Sequence, residues 1–130
     1  MVTITAQGEP MEPTEAVTAY GAAWNEPDAG KRAALLEGAW AADGVYLDPT
    51  ARAEGRDALV EHIGGFQAAM PGHTIDMASG VDEHDGSFRF AWVMRNADGD
   101  VLEGIDYGEL AADGRITRIV GFFGPFPEQG

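Results

Sequence analysis

The sequence predicts one α+β domain in which helices cover one face of an antiparallel sheet. Apolar residues recur at helical spacing through the first half of the 130-residue chain. From about His73 onward the period changes to two, which is the spacing of β-strands. Asp-Gly favours the tight turns of hairpins, and three such pairs divide this second half: Asp85-Gly86, Asp98-Gly99 and Asp113-Gly114. Helices followed by a run of strands are typical of the α+β class.

Two helices are predicted before the first strand. The first begins with Thr14 as its N-cap and ends at Asn25-Glu26-Pro27, and it has one apolar face, formed by Val17, Tyr20 and Trp24. Asp28 is predicted to cap the second helix, which ends at Asp43-Gly44. The residues that the second helix would turn inward are Leu35, Leu36, Ala39 and Trp40.

A short strand and a third helix complete the first half. The strand Val45-Tyr46-Leu47 is predicted to end at Asp48-Pro49, because proline cannot continue a strand interior. The third helix follows Gly55, takes Asp57 as its cap and ends at Pro71-Gly72. Its buried stripe is predicted to contain Leu59 or Val60, Ile63, Phe66 and Met70.

Four strands are predicted after the third helix: Thr74–His84, Ser87–Arg95, Val101–Leu110 and Arg115–Phe123. Ser79-Gly80 indicates a bulge or bend within the first of them. A single domain spanning residues 1–130 is expected. Within it, residues 1–12 are predicted to form a loose N-terminal arm and residues 124–130 an irregular tail.

The charge balance excludes several classes of partner. The chain has 22 acidic and 8 basic residues, a formal net charge of −14, with no run of Lys and Arg. Such a field repels a phosphate backbone or an anionic membrane surface, whereas a small neutral or cationic ligand remains compatible with it. No apolar stretch reaches the ~20 residues of a membrane span, and residues 1–12 lack the pattern of a signal peptide. We therefore expect a cytoplasmic protein that binds neither nucleic acid nor membrane.

Signatures of cofactor and metal sites are missing from the sequence. There is no cysteine, no glycine-rich phosphate loop and no Gly-x-Ser-x-Gly elbow. The three histidines, His62, His73 and His84, do not have the spacing of metal ligands. The sequence therefore predicts a site that works without a metal ion or a cofactor.

The order of the predicted elements and three short fragments resemble the NTF2-like superfamily, with its SnoaL-like and ketosteroid-isomerase-like branches as the nearest. The fragments are Leu47-Asp48-Pro49, Gly55-Arg56-Asp57-Ala58-Leu59 and Asp113-Gly114-Arg115-Ile116, and the resemblance extends over about residues 14–123. It implies a cone-shaped fold in which a curved sheet and three helices enclose a small, mostly apolar molecule. The superfamily contains isomerases, cyclases, hydrolases and binding-only members, so fold alone does not decide the reaction.

Three residues match the catalytic positions of the ketosteroid isomerases. The resemblance implies that Asp48 moves the proton, while Tyr20 and Asp106 donate hydrogen bonds to the oxyanion. Such chemistry needs a base near the reacting carbon and donors at the developing negative charge. Asp106 could donate only if burial in an apolar pocket kept it protonated, as ketosteroid isomerase does with its own aspartic acid. The third helix departs from that family, because it carries His62 and Ile63 where the isomerases place aromatic residues.

The neighbours of Asp106 leave two other interpretations open. If the Asp98-Gly99 turn pairs Ala97 with Asp100, Asp106 lies opposite Ala91 and shares a sheet face with Arg89, Gly104 and Gly108. Arg89 and Asp106 could then form an exposed ion pair of little energetic value. Alternatively, Arg89, Asp106 and Asp48 could form a cluster similar to that of limonene epoxide hydrolases. The remaining residues predicted to line the pocket are Trp24, Tyr46, His62, Phe66, His73, Arg89 and Phe122.

The opposite sheet face is predicted to be apolar, because helices can cover only one side. It would carry Phe88, Phe90, Trp92 and Met94 opposite Val101, Ile105 and Tyr107. An exposed patch of this kind usually marks an interface, so we expect a homodimer formed through the sheets. Three functions stay open: a cofactor-free isomerase or cyclase acting on a carbonyl-bearing molecule, a binding-only domain, and a structural module with a filled interior.

Overall fold

The structure is a computed structural model that describes residues 11–130, which form three helices and seven strands. The helices are α1 (Pro13–Asn25), α2 (Ala29–Ala39) and α3 (Arg56–Ala69). The strands are β1 (Trp40–Asp48), β2 (Ala51–Glu54), β3 (Thr74–Met77), β4 (Asp82–His84), β5 (Ser87–Asn96), β6 (Gly99–Leu110) and β7 (Ile116–Phe123). No helix in this part of the chain is long and apolar enough to cross a membrane.

All seven strands belong to one curved, unclosed sheet, which confirms the predicted α+β class. Their order is β2-β1-β7-β6-β5-β3, with β4 also paired to β5. Every pair is antiparallel except β1 and β7, which run parallel. The sheet is therefore mixed, and its parallel pair joins the first strand of the chain to the last.

The helix starts confirm one of the three predicted caps. Asp28 caps α2, because its Oδ2 atom accepts a hydrogen bond of 2.9 Å from the Lys31 amide. Helix α1 begins two residues earlier than predicted: Glu12 precedes it, and the Glu12 amide donates to Oε1 of Glu15 at 3.3 Å. Thr14 lies inside the first turn. Gly55, at φ 93°, precedes α3, so Asp57 is a first-turn residue and not the cap.

The second helix ends four residues before the predicted Asp43-Gly44 boundary. Trp40 already belongs to β1, and its indole lies over Gly44, where a Cβ atom would come within 2.5 Å of the ring nitrogen. The buried Trp40 ring therefore packs on the glycine at which the helix was predicted to end. Strand β2 was not predicted. It follows a two-residue turn, Pro49-Thr50, and its four residues are too few to show a period.

The predicted breaks at Ser79-Gly80 and Asp85-Gly86 agree with the structure. The predicted strand Thr74–His84 divides at Ser79-Gly80 into β3 and β4, and both pieces pair with β5. Asp85 and Gly86 form the next turn, with φ angles of 52° and 79°. Positive φ at both positions is what a type I′ hairpin turn requires.

The register between β5 and β6 differs from the prediction by one residue. Asn96 pairs with Gly99, so the loop consists of Ala97 and Asp98, and the Asp98 amide donates to Oδ1 of Asn96 at 2.8 Å. A bulge follows, after which Asp106 pairs with Phe90. Because side chains alternate between faces, this one-residue change exchanges the two faces of β5 relative to Asp106.

The exchange of faces reverses two predictions. Phe88, Phe90 and Trp92 are buried on the inner, helix-covered face together with Asp106, and Met94 is half-buried there. Arg89 lies on the outer face, 73% exposed, and pairs with Asp82 at 2.9 Å. The predicted apolar outer face therefore loses its β5 aromatic residues.

A buried arginine ties the three helices together at one end of the domain. Arg32 of α2, only 4% exposed, donates to the carbonyl oxygens of Glu26, Pro27 and Val60 and to Oε1 of Gln67. Gln67 of α3 in turn donates to the carbonyl oxygens of Trp24 and Glu26. These bonds satisfy carbonyls that the end of α1 leaves unpaired, and they hold α1 over the sheet.

Residues 1–10 of the predicted N-terminal arm lie outside the described residues. Met11 is tied down, because its amide donates to the Asp113 carbonyl oxygen at 3.0 Å. Residues 124–130 contain no helix or strand.

Candidate active site

A cavity of about 500 Å³ lies between the inner face of the sheet and the helices. Aromatic side chains supply much of its wall, among them Trp24, Phe66 and Phe90. Three carboxyl-bearing residues also contribute, and no Lys or Arg of residues 11–130 does. A cavity of this size and apolar character suits a small organic ligand.

Asp106 lies at the buried end of the cavity. It is 6% exposed and accepts a hydrogen bond of 2.9 Å on Oδ1 from the indole nitrogen of Trp92. Asp is disfavoured within strands, so its position on the inner face of β6 needs a reason beyond sheet formation. The neighbouring inner-face positions of β6 are Gly104 and Gly108, over which the rings of Trp92 and Phe88 lie.

Burial raises the pKa of Asp106 to about 7. The Trp92 hydrogen bond lowers this pKa, the negative charge of Asp48 raises it, and the hydroxyl of Tyr20 lowers it. Desolvation is the largest of these causes, as expected when a carboxylate is removed from water. Near neutral pH a substantial fraction of Asp106 side chains therefore keep the proton and can donate a hydrogen bond.

Tyr20 reaches the same end of the cavity from α1. It is 3% exposed, and its ring stacks on Trp40 with centroids 5.6 Å apart and an interplanar angle of 16°. Burial, followed by the nearby charge of Asp106, raises the pKa of Tyr20 well above its usual value. The phenol therefore stays protonated at every physiological pH and acts as a second donor.

Asp48 stands at the end of β1 and is held by three donors. Tyr46 donates its hydroxyl to Oδ2 at 2.5 Å, while Thr50 donates its amide and its hydroxyl to Oδ1 at 2.7 and 2.8 Å. Burial and this hydrogen bond raise the pKa of Tyr46, so it remains a donor. The side chain of Asp48 is thus fixed in orientation, at a half-buried position that opens into the cavity.

Gly121 separates the two carboxyl groups. It pairs with Asp106 across β6 and β7, and it neighbours Asp48 on the other side. A Cβ atom at this position would lie 2.9 Å from Oδ1 of Asp106 and 3.5 Å from Cβ of Asp48. The missing side chain leaves the space in which both carboxyl groups and Tyr20 border one cavity.

The cavity wall includes most of the residues predicted for it. Tyr20, Asp48 and Asp106 are brought together, and four predicted wall residues also contribute: Trp24, Tyr46, His62 and Phe66. His62 packs between two of these aromatic rings, with its centroid 5.3 Å from Tyr46 and 5.8 Å from Trp24.

Three predicted wall residues lie elsewhere. Phe122 is 58% exposed on the outer face of β7, opposite Ile105. His73 is half-buried in the loop after α3, near Asn96 and the carbonyl oxygen of Pro71. Arg89 lies on the outer face, so neither the predicted Arg89–Asp106 ion pair nor the epoxide-hydrolase-like cluster of Arg89, Asp106 and Asp48 forms.

Several wall residues were assigned to the core or overlooked in the sequence. Trp92, Phe90 and Met94 were placed on the outer face by the incorrect register, and Phe123 and Thr50 were not assigned to the site. The correct faces depend on the bulge beside Met94 and Arg95, which shifts the register after the turn and has no evident signal in the sequence.

No group of His, Asp or Glu within residues 11–130 is arranged to hold a metal ion. The lining of the cavity includes the polar side chains of Tyr20, Asp48 and Asp106. They combine two protonated donors with one carboxylate acceptor, and this set can bind a carbonyl oxygen and a neighbouring acidic hydrogen at the same time.

Comparison with known proteins identifies the family. The model of the SnoaL-like domain matches residues 17–119. This chain belongs to the SnoaL-like family. Its fold is similar to that of a proposed isomerase of the SnoaL-like family from Agrobacterium tumefaciens, with a TM-score of 0.82 and 34% sequence identity over 88% of this chain and 100% of that one.

More distant structures share the fold with this SnoaL-like protein. A proposed polyketide cyclase from Sinorhizobium meliloti has 16% identity and a TM-score of 0.66, covering 85% of this chain and 99% of that one. A protein of unknown function with a cystatin-like fold from Methylobium petroleophilum has 17% identity and a TM-score of 0.71, over 91% of this chain and 79% of that one. No curated protein sequence matches the chain.

Proposed function

We propose that this SnoaL-like protein is a cofactor-free isomerase or cyclase that transfers protons on a small, apolar carbonyl compound. The observation that carries the proposal is the meeting of Tyr20, Asp48 and Asp106 at one buried end of an apolar cavity. Tyr20 keeps its proton, and Asp106, with a pKa of about 7, keeps its proton in a substantial fraction of molecules near neutral pH. Asp48 accepts hydrogen bonds from three donors.

Each residue has one role in the proposed reaction. The substrate carbonyl oxygen binds between the Tyr20 hydroxyl and the protonated Asp106. Asp48 removes the proton from the carbon next to the carbonyl, and the electron pair of the broken C–H bond forms an enolate whose charge the two donors stabilise. An isomerase then returns the proton from Asp48 to another carbon of the conjugated system. In a cyclase the enolate carbon instead attacks a second carbonyl of the same molecule, the π electrons of that carbonyl move to its oxygen, and this oxygen takes the proton from Asp48.

The wall of the cavity supports an uncharged substrate. The carboxyl-bearing residues Asp48, Asp76 and Asp106 contribute to the wall, and no cationic side chain among residues 11–130 does. A substrate carrying its own carboxylate or phosphate would be repelled by these carboxyl groups, because the protein interior screens charges less than the surface does. The names of two structural neighbours, a proposed isomerase and a proposed polyketide cyclase, agree with this class of chemistry.

Deuterium exchange tests the proposal without knowledge of the product. Cyclohex-2-enone and 2-tetralone are incubated with the protein in D₂O, and loss of the hydrogens next to the carbonyl is followed by ¹H NMR. We expect the protein to accelerate exchange, and Asp48→Asn to slow it by about 100-fold or more because the base is lost. Asp82→Asn, an exposed carboxylate on the outer side of the sheet, is the matched control and keeps the rate.

One observation favours a binding-only role as the second candidate. Tyr46 and Thr50 already occupy three acceptor positions of the Asp48 carboxylate, which leaves few lone pairs for a substrate hydrogen. In that case cyclic ketones would bind in the cavity, yet exchange in D₂O would equal that in buffer. If no ketone of this class binds, both candidates lose their support.

We also infer that two copies of the chain pair through the outer sheet face. Ile105 and Phe122 lie opposite each other on that face and are 43% and 58% exposed, and Val101 is 47% exposed. Large apolar side chains clustered on one exposed face usually mark an interface. This face differs from the one expected from sequence, because Phe88, Phe90 and Trp92 are buried on the inner side.

A further inference from the structure

We propose that Trp92 is a positioning residue that directs the proton of Asp106 onto Oδ2, leaving that oxygen as the donor to the ligand. The inference rests on the proposed function, because it concerns how one of the hydrogen-bond donors of that site is oriented. An indole N–H can only donate, so the oxygen that it contacts must act as an acceptor. Trp92 contacts Oδ1 at 2.9 Å in a buried setting, and the proton of the neutral acid is thereby confined to the other oxygen.

The placement of the indole depends on Gly104. Trp92 pairs with Gly104 across β5 and β6, and Asp106 is the next inner-face residue along β6. A Cβ atom at position 104 would lie 2.0 Å from Cζ2 and 2.4 Å from Cε2 of Trp92. Such distances are sterically forbidden, so only glycine lets the indole lie flat across β6 with its nitrogen directed at Asp106.

Two further features fix the position of the indole relative to the carboxyl group. Phe123 packs edge-on against Trp92, with centroids 5.7 Å apart and an interplanar angle of 89°. Gly121 leaves the space beside Oδ1, where a Cβ atom would lie 2.9 Å from that oxygen. The indole is therefore confined by Gly104 and Phe123, and its acceptor is left undisturbed by β7.

The Trp92→Phe variant tests the proposal, because it keeps an aromatic ring but removes the N–H donor. The Asp106 carboxyl is followed by ¹³C NMR in protein labelled at the aspartate carboxyl carbons, and Asp106→Asn identifies its resonance. Loss of a donor to the ionised carboxylate should raise the titration midpoint of Asp106 by roughly one pH unit. In the same variant deuterium exchange of cyclohex-2-enone should slow, since the proton can then occupy either oxygen.

Trp40→Phe is the matched control. Trp40 is also a buried tryptophan, and its ring nitrogen has no hydrogen-bond partner within residues 11–130. Phenylalanine keeps an aromatic ring against Tyr20, on which Trp40 stacks, so this replacement should leave the Asp106 midpoint unchanged. Gly104→Ala retains the indole but displaces it, and should reproduce the upward shift of Trp92→Phe.

The titration is measured on the free protein, so its outcome is independent of turnover. An unchanged midpoint in Trp92→Phe, or an equal shift in Trp40→Phe, would overturn the positioning role even if the wild-type protein exchanges ketone hydrogens. A shift specific to Trp92→Phe would support that role even if no ketone is turned over. In that second case only the enzymatic function would be lost.

Discussion

At the scale of single residues, the cavity depends on an alternation of glycine and aspartate along β6. Gly104, Asp106 and Gly108 follow one another on the inner face, and aromatic rings from β5 lie over both glycines. Asp106 is therefore surrounded by ring surfaces instead of water, which explains why burial dominates its pKa. The glycines leave no empty space above the sheet, because Trp92 and Phe88 fill it.

The buried carboxyl group of Asp106 should make the free energy of unfolding depend on pH. The variant Asp106→Asn should lack this dependence. The native pKa of Asp106 is about 7, against 3.8 for an ordinary aspartate. Between these values the native state binds more protons than the unfolded chain, so this group makes the protein less stable as pH rises from about 4 to 7, with no further change above. Asparagine has no proton to lose.

Urea unfolding at pH 4 and pH 8 checks this prediction. The free energy of unfolding of Asp106→Asn, relative to that of wild type, should increase by a few kcal/mol from pH 4 to pH 8. Asp82→Asn serves as the exposed control and should show little change. A difference between Asp106→Asn and wild type that is the same at both pH values would mean that Asp106 is ionised in the native protein.

At the scale of elements, the sequence predicted the helices and most strands because their periods are long and well punctuated. The inner face of α1 and the division of the strand at Ser79-Gly80 were read correctly for this reason. Strand β2 was missed because four residues carry no resolvable period. The parallel pairing of β1 with β7 was also missed, since it joins strands far apart in sequence and depends on the whole sheet.

The register of one hairpin decided how much of the site could be predicted. Tyr20, Asp48 and Asp106 could be assigned from residue type and position, and all three border the cavity. The partners of Asp106 could not, because nothing in the sequence indicates the bulge beside Met94 and Arg95, which adds a single-residue step to the register after the turn. Since side chains alternate along a strand, that single step exchanged Arg89 for Trp92 as the neighbour of Asp106.

At the scale of the whole molecule, the net charge and the lining of the cavity select against the same class of ligand. The net charge of −14 and the absence of Lys and Arg from the described cavity wall both disfavour anionic ligands. The helices, tied together by the buried Arg32, close one side of the sheet and leave the other face open. The molecule therefore has one enclosed surface suited to a small uncharged ligand and one exposed apolar surface suited to a second copy.

Sedimentation equilibrium tests the interface assigned to the outer face. The wild-type chain should be a dimer at micromolar concentration, and Phe122→Glu or Ile105→Glu should make it a monomer, because each change would bury a charge in the interface. Met77→Glu is the control: Met77 is 40% exposed but contributes to the cavity wall, so this variant should remain a dimer. A monomeric wild type at tens of micromolar would contradict the assignment.

The most direct test of the account as a whole is the pH dependence of ketone exchange. In the proposed mechanism Asp48 acts as the base while Asp106 keeps its proton, and the pKa of Asp106 is about 7. The rate of deuterium exchange of cyclohex-2-enone should therefore fall as pH rises through about 7, and Asp106→Asn should show no such fall. A wild-type rate that rises steadily from pH 6 to pH 9 would contradict the donor role of Asp106 and with it the proposed mechanism.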